Sequence, residues 1–501
     1  MSAYPELVET VREASLVGSV ASVLGWDQET MMPSGGVEFR SRQLALLARM
    51  HHEQSTSPRI GDLLDRASAD GSLDPTGPEA ANVREMRRDY DRARKLPARL
   101  VEELAKVSSV AQHEWAAARA ESDFRKFQPW LERLVSLNRE KAQCLGIPAG
   151  GEAWDALADT YEPGCCARDV AALFGPLRER LKGLLDRVMG SSKGPSNRFN
   201  ELEIDIDAQE RFVRFVAESL GFDFGRGRLD RSTHPFCGGS HCNDVRLTTR
   251  YRGDCVNDAL GSTIHESGHG MYEQGLPFAH VGTPLGEAVS LGIHESQSRM
   301  WENQVGRSRA FWTWCTPHVM RHFGERTNGF GADELYGAAN IVEPGFIRVD
   351  ADEATYNQHV MVRFALERAL IGGQLPVAEL PGEWNRLYKD HLGLDVPDDR
   401  RGCLQDVHWS MGAFGYFPTY TLGTLYAAQL FDAARAAMPG LEEGIAKGEF
   451  APLLAWLNRE VHAHGRRFLP GELCTRVTGR PLSAEPFLSH LEGKLAPLYG
   501  F

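Results

Sequence analysis

The stretch NDALGSTIHESGHGMYEQGLP, Asn257 to Pro277, decides how the rest of this 501-residue chain is read. Asn257 can cap a helix start, Gly275 can end one in the left-handed conformation, and Pro277 forbids continuation. Between them Leu260, Ile264 and Met271 recur at helical spacing and mark a stripe that faces a core. On a neighbouring stripe stand His265 and His269, one turn apart, so two imidazole nitrogens can converge on one metal ion. Glu266 projects to one side of that pair, where a carboxylate can take a proton from water. The segment reads as His-Glu-x-x-His on a helix. Two ligands leave a catalytic site incomplete, because three protein ligands and an open position are usual. Residues 270 to 275 offer no third histidine, which leaves a glutamate from a following helix. Glu295 suits, on a helical segment through Leu291, Ile293, His294, Gln297 and Met300, 295 − 269 = 26 residues beyond His269. Its competing reading is an ion pair with Arg299 one turn on. His294 points elsewhere on that helix and is the weaker ligand candidate.

The surroundings of this helix are those of an ordinary globular chain. Apolar residues make up 42% and charged residues 25%, which excludes a disordered acidic tail and a fibrous repeat. The charge balance, 55 − 68 = −13, repels phosphate backbones and argues against nucleic acid as a partner. No apolar run of 18 residues exists, so no membrane span is expected. The first twenty residues carry Glu6 and Glu9 and lack a signal-peptide pattern, and nine thinly spread cysteines suit reduced thiols. A cytoplasmic location is the expectation. Apolar steps of three and four residues follow Pro97, Pro129 and Pro176, each read as a helix start. Gly190 to Ser196 has linker composition. Two segments alternate with period two: Leu202, Ile204 and Ile206, and Val245, Leu247 and Thr249. The expected fold is mainly α with a small β-sheet, residues 1–501 forming a single unit of two lobes.

Further short motifs occur in a fixed order: His234-Pro235-Phe236, Asp244-Val245-Arg246-Leu247-Thr248, His265-Glu266-Ser267-Gly268-His269 and His294-Glu295-Ser296-Gln297. They continue with Ile347-Arg348-Val349-Asp350-Ala351-Asp352 and Gly402-Cys403-Leu404-Gln405-Asp406-Val407-His408-Trp409. This series resembles the HPF, DxRxT, HExxH, HESQ, IRxxAD and GxxQDxHW motifs of the thermostable carboxypeptidase Taq family of metallocarboxypeptidases, peptidase family M32. Trp26-Asp27-Gln28-Glu29-Thr30-Met31-Met32-Pro33 is similar to that family's N-terminal signature. The likeness runs from residue 26 onward and is densest from 234 to 425. It implies a two-lobed helical gluzincin fold like that of neurolysin, with a deep groove. It also implies a homodimer and release of single residues from peptide C-termini with broad specificity. In that family frame His265, His269 and Glu295 hold the metal and Glu266 is the general base.

A carboxypeptidase needs a cation for the free C-terminal carboxylate, and the planar fork of arginine matches two oxygens. Arg348, in the IRxxAD-like segment, is the first candidate, with a bridge to Asp350 or Asp352 as its competing reading. Arg246 is the second, on a short strand where an extended substrate could pair along a sheet edge. Gln405, His408 and Tyr420 are candidates for oxyanion and substrate-backbone contacts; His234 and Asp352 could touch substrate or orient ligands. The metal expected from two histidines and a glutamate is Zn2+, with Co2+ or Mn2+ as other occupants. Two competing functions remain: a zinc endopeptidase or dipeptidase with the same site, and a helical metal-binding protein without catalysis. Glu266 weighs against the last, because a purely structural metal has no use for a base beside it.

Overall fold

The structure is a computed structural model, and it describes residues 3–253 and 255–501. Helices dominate, and one three-stranded sheet joins them. Two compact units share the chain. The first takes Met1–Arg94, Ser196–Ala339 and Tyr426–Leu482; the second takes Lys95–Pro195, Asn340–Leu425 and Ser483–Phe501. The linker-like stretch ending at Ser196 is therefore where the chain leaves the second unit for the first.

In the first unit, two long helices, Tyr4–Thr30 and Val37–Ser55, pack on each other at the N-terminus. Leu7 of the first helix joins Ile60, Leu63, Leu64, Val83, Met86 and Tyr90 in one core cluster. The sheet is β1 (Gly227–Arg231), β2 (Phe236–His241) and β3 (Asp244–Thr249), in the order β1-β3-β2. β1 runs parallel to β3 and β2 antiparallel to it. β3 is thus the central strand. Arg246 lies in its middle, opposite Arg228 and Gly238, and not on a free edge as its short alternating sequence suggested. The reading of the alternation at Val245, Leu247 and Thr249 as a strand holds; all three are buried, and so is Thr248 between them.

The other alternating segment, Leu202 to Ile206, is no strand. Asp205 accepts from the Ala208 amide and caps a helix that begins at Ile206; a short acidic residue at that point satisfies a helix end better than a sheet edge. Two of the three proline readings also shift. Pro97 does precede a helix, Ala98–Glu121. Pro129 lies inside Phe124–Leu145, whose cap is Asp123, and Pro176 lies inside Ala167–Met189. Each interior proline forgoes one helical hydrogen bond, and the buried stripes that accompany them keep the helices continuous. Leu131, Leu134 and Val135 in one, and Leu177, Leu181 and Leu184 in the other, are all buried. At roughly 2 kcal/mol for each fully buried leucine, the burial outweighs the lost bond.

In the second unit the helix Tyr356–Gly372 is buried nearly all round. Phe364 receives Trp154 and Phe174 edge-on, with ring centroids 5.2 and 5.3 Å away. His359, Arg363 and Glu367 repeat every four residues along this helix, a polar row inside a core. Each has partners on other segments, and those partners position the motif residues of the unit.

Candidate metal centre

The motif helix runs from Val256 to Gly275. Its bounds match the sequence reading to within two residues, but for other reasons. Cys255 occupies the cap position, and Asn257 instead donates its amide to Asn200. Gly275 keeps a helical conformation; a Cβ there would lie 2.3 Å from His462 Nδ1, so the glycine serves close packing. The return helix, Leu291–Arg299, starts from Ser290, whose hydroxyl accepts from the Ile293 amide, and continues as a π-helix over Met300–Gly306.

Gly268 explains how the two helices come together. A Cβ on it would stand 2.6 Å from the Gln297 carbonyl oxygen and 2.6 Å from the Ser298 Cα. Only a glycine admits that approach. Gly270, two residues on, gives the same room to Phe222 and to Leu247 of β3. His269 between them is held by a helix wedged against both neighbours.

That contact sets Glu295 Oε2 at 3.3 Å from His269 Nε2 and 3.6 Å from His265 Nε2. The three possible ligand atoms lie within 4.8 Å of one another, the only such group among the described residues. The ion-pair reading of Glu295 holds, and it leaves the second carboxylate oxygen free to face the histidines. Its Oε1 takes the Arg299 guanidinium at 2.7 Å while Oε2 faces the histidines. Burial alone would raise its pKa, but Arg299 and His265 hold the carboxyl well below its usual range, so it faces the histidines as a carboxylate.

The hydrogen bonds behind the ligands test whether a metal fits. Glu302, on the π-helix, lies 2.9 Å from His265 Nδ1. A carboxylate only accepts, so Nδ1 carries the proton and Nε2 turns a lone pair toward Glu295's side. His269 is set by a longer chain. His294 gives Nε2–H to Glu273 at 2.8 Å, which makes its Nδ1 an acceptor, and His269 Nδ1 donates to it at 2.5 Å. His269 Nε2 is thereby also free of hydrogen. Both imidazoles are in the tautomer that binds a cation, and two imidazoles with one carboxylate are the donor set of a catalytic zinc site. The residues fit a divalent metal.

His294 was expected to point away, yet it is the group that orients His269. Glu302 and Glu273 were missed altogether. A cue for Glu302 existed, since it follows Glu295 by seven residues, two helical turns. Arg299 and Arg307 flank Glu302 and, against its burial, hold its pKa low. Glu266 is itself buried, and burial pushes its carboxyl up to about 7 despite the neighbouring His265. A carboxyl at that value can both accept and release a proton near neutral pH. A cavity of about 580 Å³ lies beside this cluster, bordered by Cys237 to Cys242 of the β2 hairpin, Glu273 and His294.

The remaining candidates fall into two groups. In the first unit Arg246 forms a two-bond pair with Asp244, at 2.9 and 3.1 Å, and lies 4.5 Å over the Trp26 ring. His234 is exposed on the turn before β2. In the second unit Arg348 is buried and bound to Asp406, not to Asp350 or Asp352. Gln405 accepts from the Arg348 amide and donates to the Phe346 carbonyl and the Tyr388 hydroxyl, so it braces the Arg348 segment. His408 Nε2 meets the Tyr420 hydroxyl at 3.1 Å, and burial pushes this imidazole down to about 3. Asp352 accepts from the amides of Glu343, Ala354 and Thr355 and shapes the loop before the helix Tyr356–Gly372.

Residues 6–495 match the family model described as carboxypeptidase Taq (M32) metallopeptidase. The chain belongs to this family. As an M32 member it is a metal-dependent carboxypeptidase, a peptide hydrolase. It is 48% identical to thermostable carboxypeptidase 1 of Thermus thermophilus, over all of this chain and 99% of that one. It is 38% identical to thermostable carboxypeptidase 1 of Pyrococcus furiosus, over 98% of this chain and 97% of that one. The solved M32 carboxypeptidase of Deinococcus radiodurans superposes with a TM-score of 0.96 at 41% identity, covering 100% of both chains. The helical fold with a small sheet is therefore the M32 fold. No helix among the described residues is long and apolar enough to cross a membrane.

Proposed function

We propose that this carboxypeptidase removes single amino acids from the free C-termini of peptides with broad specificity. His265, His269 and Glu295 hold the metal, and Glu266 acts as the general base. The observation that carries this reading is the convergence of three ligand atoms beside a buried carboxyl whose pKa stands near neutrality. Zinc is the metal that the two-histidine, one-glutamate set suits best, with cobalt and manganese as competing occupants. When bound, such a cation polarises the scissile carbonyl and makes water more acidic. Glu266 takes the proton of the attacking water and passes it to the departing amine, which needs a carboxyl titrating near the working pH.

Arg348 receives the terminal carboxylate of the peptide. Asp406 holds Nε and Nη2 and Tyr356 takes one hydrogen of Nη1, so the second hydrogens of Nη1 and Nη2 are what is left to match two oxygens. Tyr420, oriented by His408 Nε2, supplies a neutral donor to a substrate oxygen, with Gln405 as the brace of the anchor and Asp352 shaping its loop. Arg246 and His234 are further candidates for substrate contact; Asp244 already neutralises Arg246, which makes it the weaker anchor. Nine free thiols fit a reducing, cytoplasmic setting, and a homodimer follows from the family resemblance.

One peptide and its C-terminal amide twin, incubated with metal-loaded enzyme and read by mass spectrometry, test this function. Stepwise loss of single residues from the free acid alone is expected. Internal cleavage of both peptides would replace the carboxypeptidase reading of the site with an endopeptidase one. Metal analysis of protein purified without added ions checks zinc, and light scattering in solution checks the dimer.

A further inference from the structure

Two guanidiniums and one carboxylate are buried together in the second unit. Arg363 has no side-chain exposure, and Arg348 and Asp406 keep only 5% and 9%. Asp406 divides its oxygens between the two arginines. Oδ1 accepts from Nε of Arg348 at 2.9 Å with Nη2 in ion-pair contact at 2.8 Å, and Oδ2 accepts from Nε of Arg363 at 2.8 Å with Nη2 in ion-pair contact at 2.7 Å. Nη1 of Arg363 donates to the His359 carbonyl at 2.8 Å and to the Tyr388 hydroxyl at 3.0 Å. Its plane lies 4.5 Å from the Trp384 ring, so the guanidinium is held on its face as well as its edges. Arg348 is held differently. Beyond Asp406 it gives one bond to the Tyr356 hydroxyl at 3.0 Å, and Tyr420 lies 4.9 Å beneath it. Nε and Nη1 each give one hydrogen bond and Nη2 is in ion-pair contact with Asp406, which leaves N–H capacity on both Nη1 and Nη2.

The charges do not balance. Two cations meet one anion, and among the described residues no other carboxylate lies within 4 Å of either guanidinium. The nearby imidazoles add no charge, since burial holds His359 and His408 well below their ordinary pKa values. An ion pair as deeply buried as Arg348–Asp406 would be neutral by itself. A carboxylate approaching Arg348 would then feel the repulsion of Asp406 nearly as strongly as the attraction of the guanidinium. Arg363 removes that repulsion. It cancels the charge of Asp406 from behind and leaves Arg348 as the uncompensated cation.

We propose that Arg363 is a positioning residue for this carboxypeptidase: it pins Asp406, which pins Arg348, and the excess positive charge of the three recognises the C-terminal carboxylate of the peptide. The proposal rests on the reading of Arg348 as the carboxylate anchor. It assigns a functional role to a residue that by burial and helix position looks like core. Arg363→Met keeps length and removes charge; Arg363→Lys keeps charge and delivers it as a point instead of a fork.

The test uses metal-loaded enzyme, with metal content and circular dichroism matched to wild type. KM and kcat are measured on a free-acid peptide, and inhibition constants on a free-acid dipeptide and its amide. Expected is a KM for Arg363→Met raised by about tenfold or more with kcat within about threefold, as for lost binding felt equally in ground and transition state. The preference for acid over amide inhibitor should collapse in the same variant. Arg363→Lys should fall between, with KM raised by about threefold. It also decides the matter if the methionine variant does not fold. A folded Arg363→Lys enzyme with wild-type KM and wild-type acid preference would overturn the proposal. Falling kcat at constant KM in either variant would overturn it too. If wild type itself binds acid and amide equally well, the anchor reading of Arg348 fails first, and that outcome is seen without any variant.

Discussion

At the scale of single residues, the proposed metal centre separates candidate ligands from the groups that set them. Glu266 should behave as a base and not as a ligand. Glu266→Gln keeps the shape and removes the proton acceptor, so kcat should fall by about 10²–10⁴, the usual worth of a general base, while bound metal stays stoichiometric. Steady-state kinetics with metal analysis of the same sample check this; full turnover in the variant would sink the assignment. Glu302 makes the complementary case. It touches no substrate in this reading, yet it decides which nitrogen of His265 carries hydrogen. Glu302→Gln can present its amide NH2 to Nδ1 and leave the ring in either tautomer, so metal affinity should fall by about 10–100-fold with little change in kcat once saturated. Competition with a metal-binding dye measures it. Of these residues, His265, Glu266, His269 and Glu295 were legible in the sequence, because helical spacing alone brings the first three together. Glu302, His294 and Glu273 were not, because their contacts depend on how two helices pack.

At the scale of elements, the decisive contact is the close crossing of the motif and return helices at Gly268. A glycine inside a helix ordinarily costs about 1 kcal/mol relative to alanine. Gly261, earlier in the same helix, has no atom within 4 Å of where a Cβ would be, so Gly261→Ala should gain up to about that amount. Gly268→Ala meets backbone at 2.6 Å, and backbone cannot turn aside. Its cost, about 1–3 kcal/mol for overpacking, exceeds the propensity gain and reverses the sign. The return helix must move, and with it Glu295, so metal binding should weaken together with stability. Denaturant titrations of the two variants side by side, with metal content, test the contrast; equal stability would mean that the helices do not rely on this crossing. The motif helix could be located from Pro277 and its apolar stripe. The interior prolines at 129 and 176 and the segment 202–206 misled because each carries a genuine local signal. The side chains of Asp123 and Asp205 cap two of those helices, and burial along the stripe sets the start of the helix that begins at Ala167. Such choices are made by tertiary context, which period and propensity do not contain.

At the scale of the whole molecule, the second unit is tied together by a buried acid, and the tie depends on pH. Glu367 has no exposure and accepts from the indoles of Trp154 and Trp409, each at 3.1 Å, and from the Gly415 amide at 3.0 Å. Two stretches far apart in sequence, at Trp154 and at Trp409 to Gly415, meet on one carboxyl. Burial raises its pKa and the three donors lower it; burial wins, and the group stands at about 7. Between the ordinary value of an unfolded glutamate, about 4.5, and that folded value, the native protein holds a proton that the unfolded chain has released. Unfolding in this window releases a proton, so the contribution of Glu367 is fully present below pH 4.5 and is lost as the pH rises through 7. The shift corresponds to roughly 3 kcal/mol. His391, which burial pushes down to about 4, acts in the opposite sense. It stays neutral in the fold where the unfolded imidazole would charge, so its contribution is lost as pH falls below about 6.5. Wild-type stability should therefore decline on both sides. Glu367→Gln titrates nothing, and its amide must turn an NH2 toward one of the three donors, so the variant should be less stable at pH 5. The gap should close by roughly 3 kcal/mol as pH rises to 8, because only wild type loses the Glu367 contribution. Denaturant midpoints of both proteins from pH 5 to 8 read this difference directly. Parallel curves would show that the three donors, and not burial, govern the charge of Glu367. In that case the carboxylate is ionised throughout, and the second unit is held by a full negative charge at its centre.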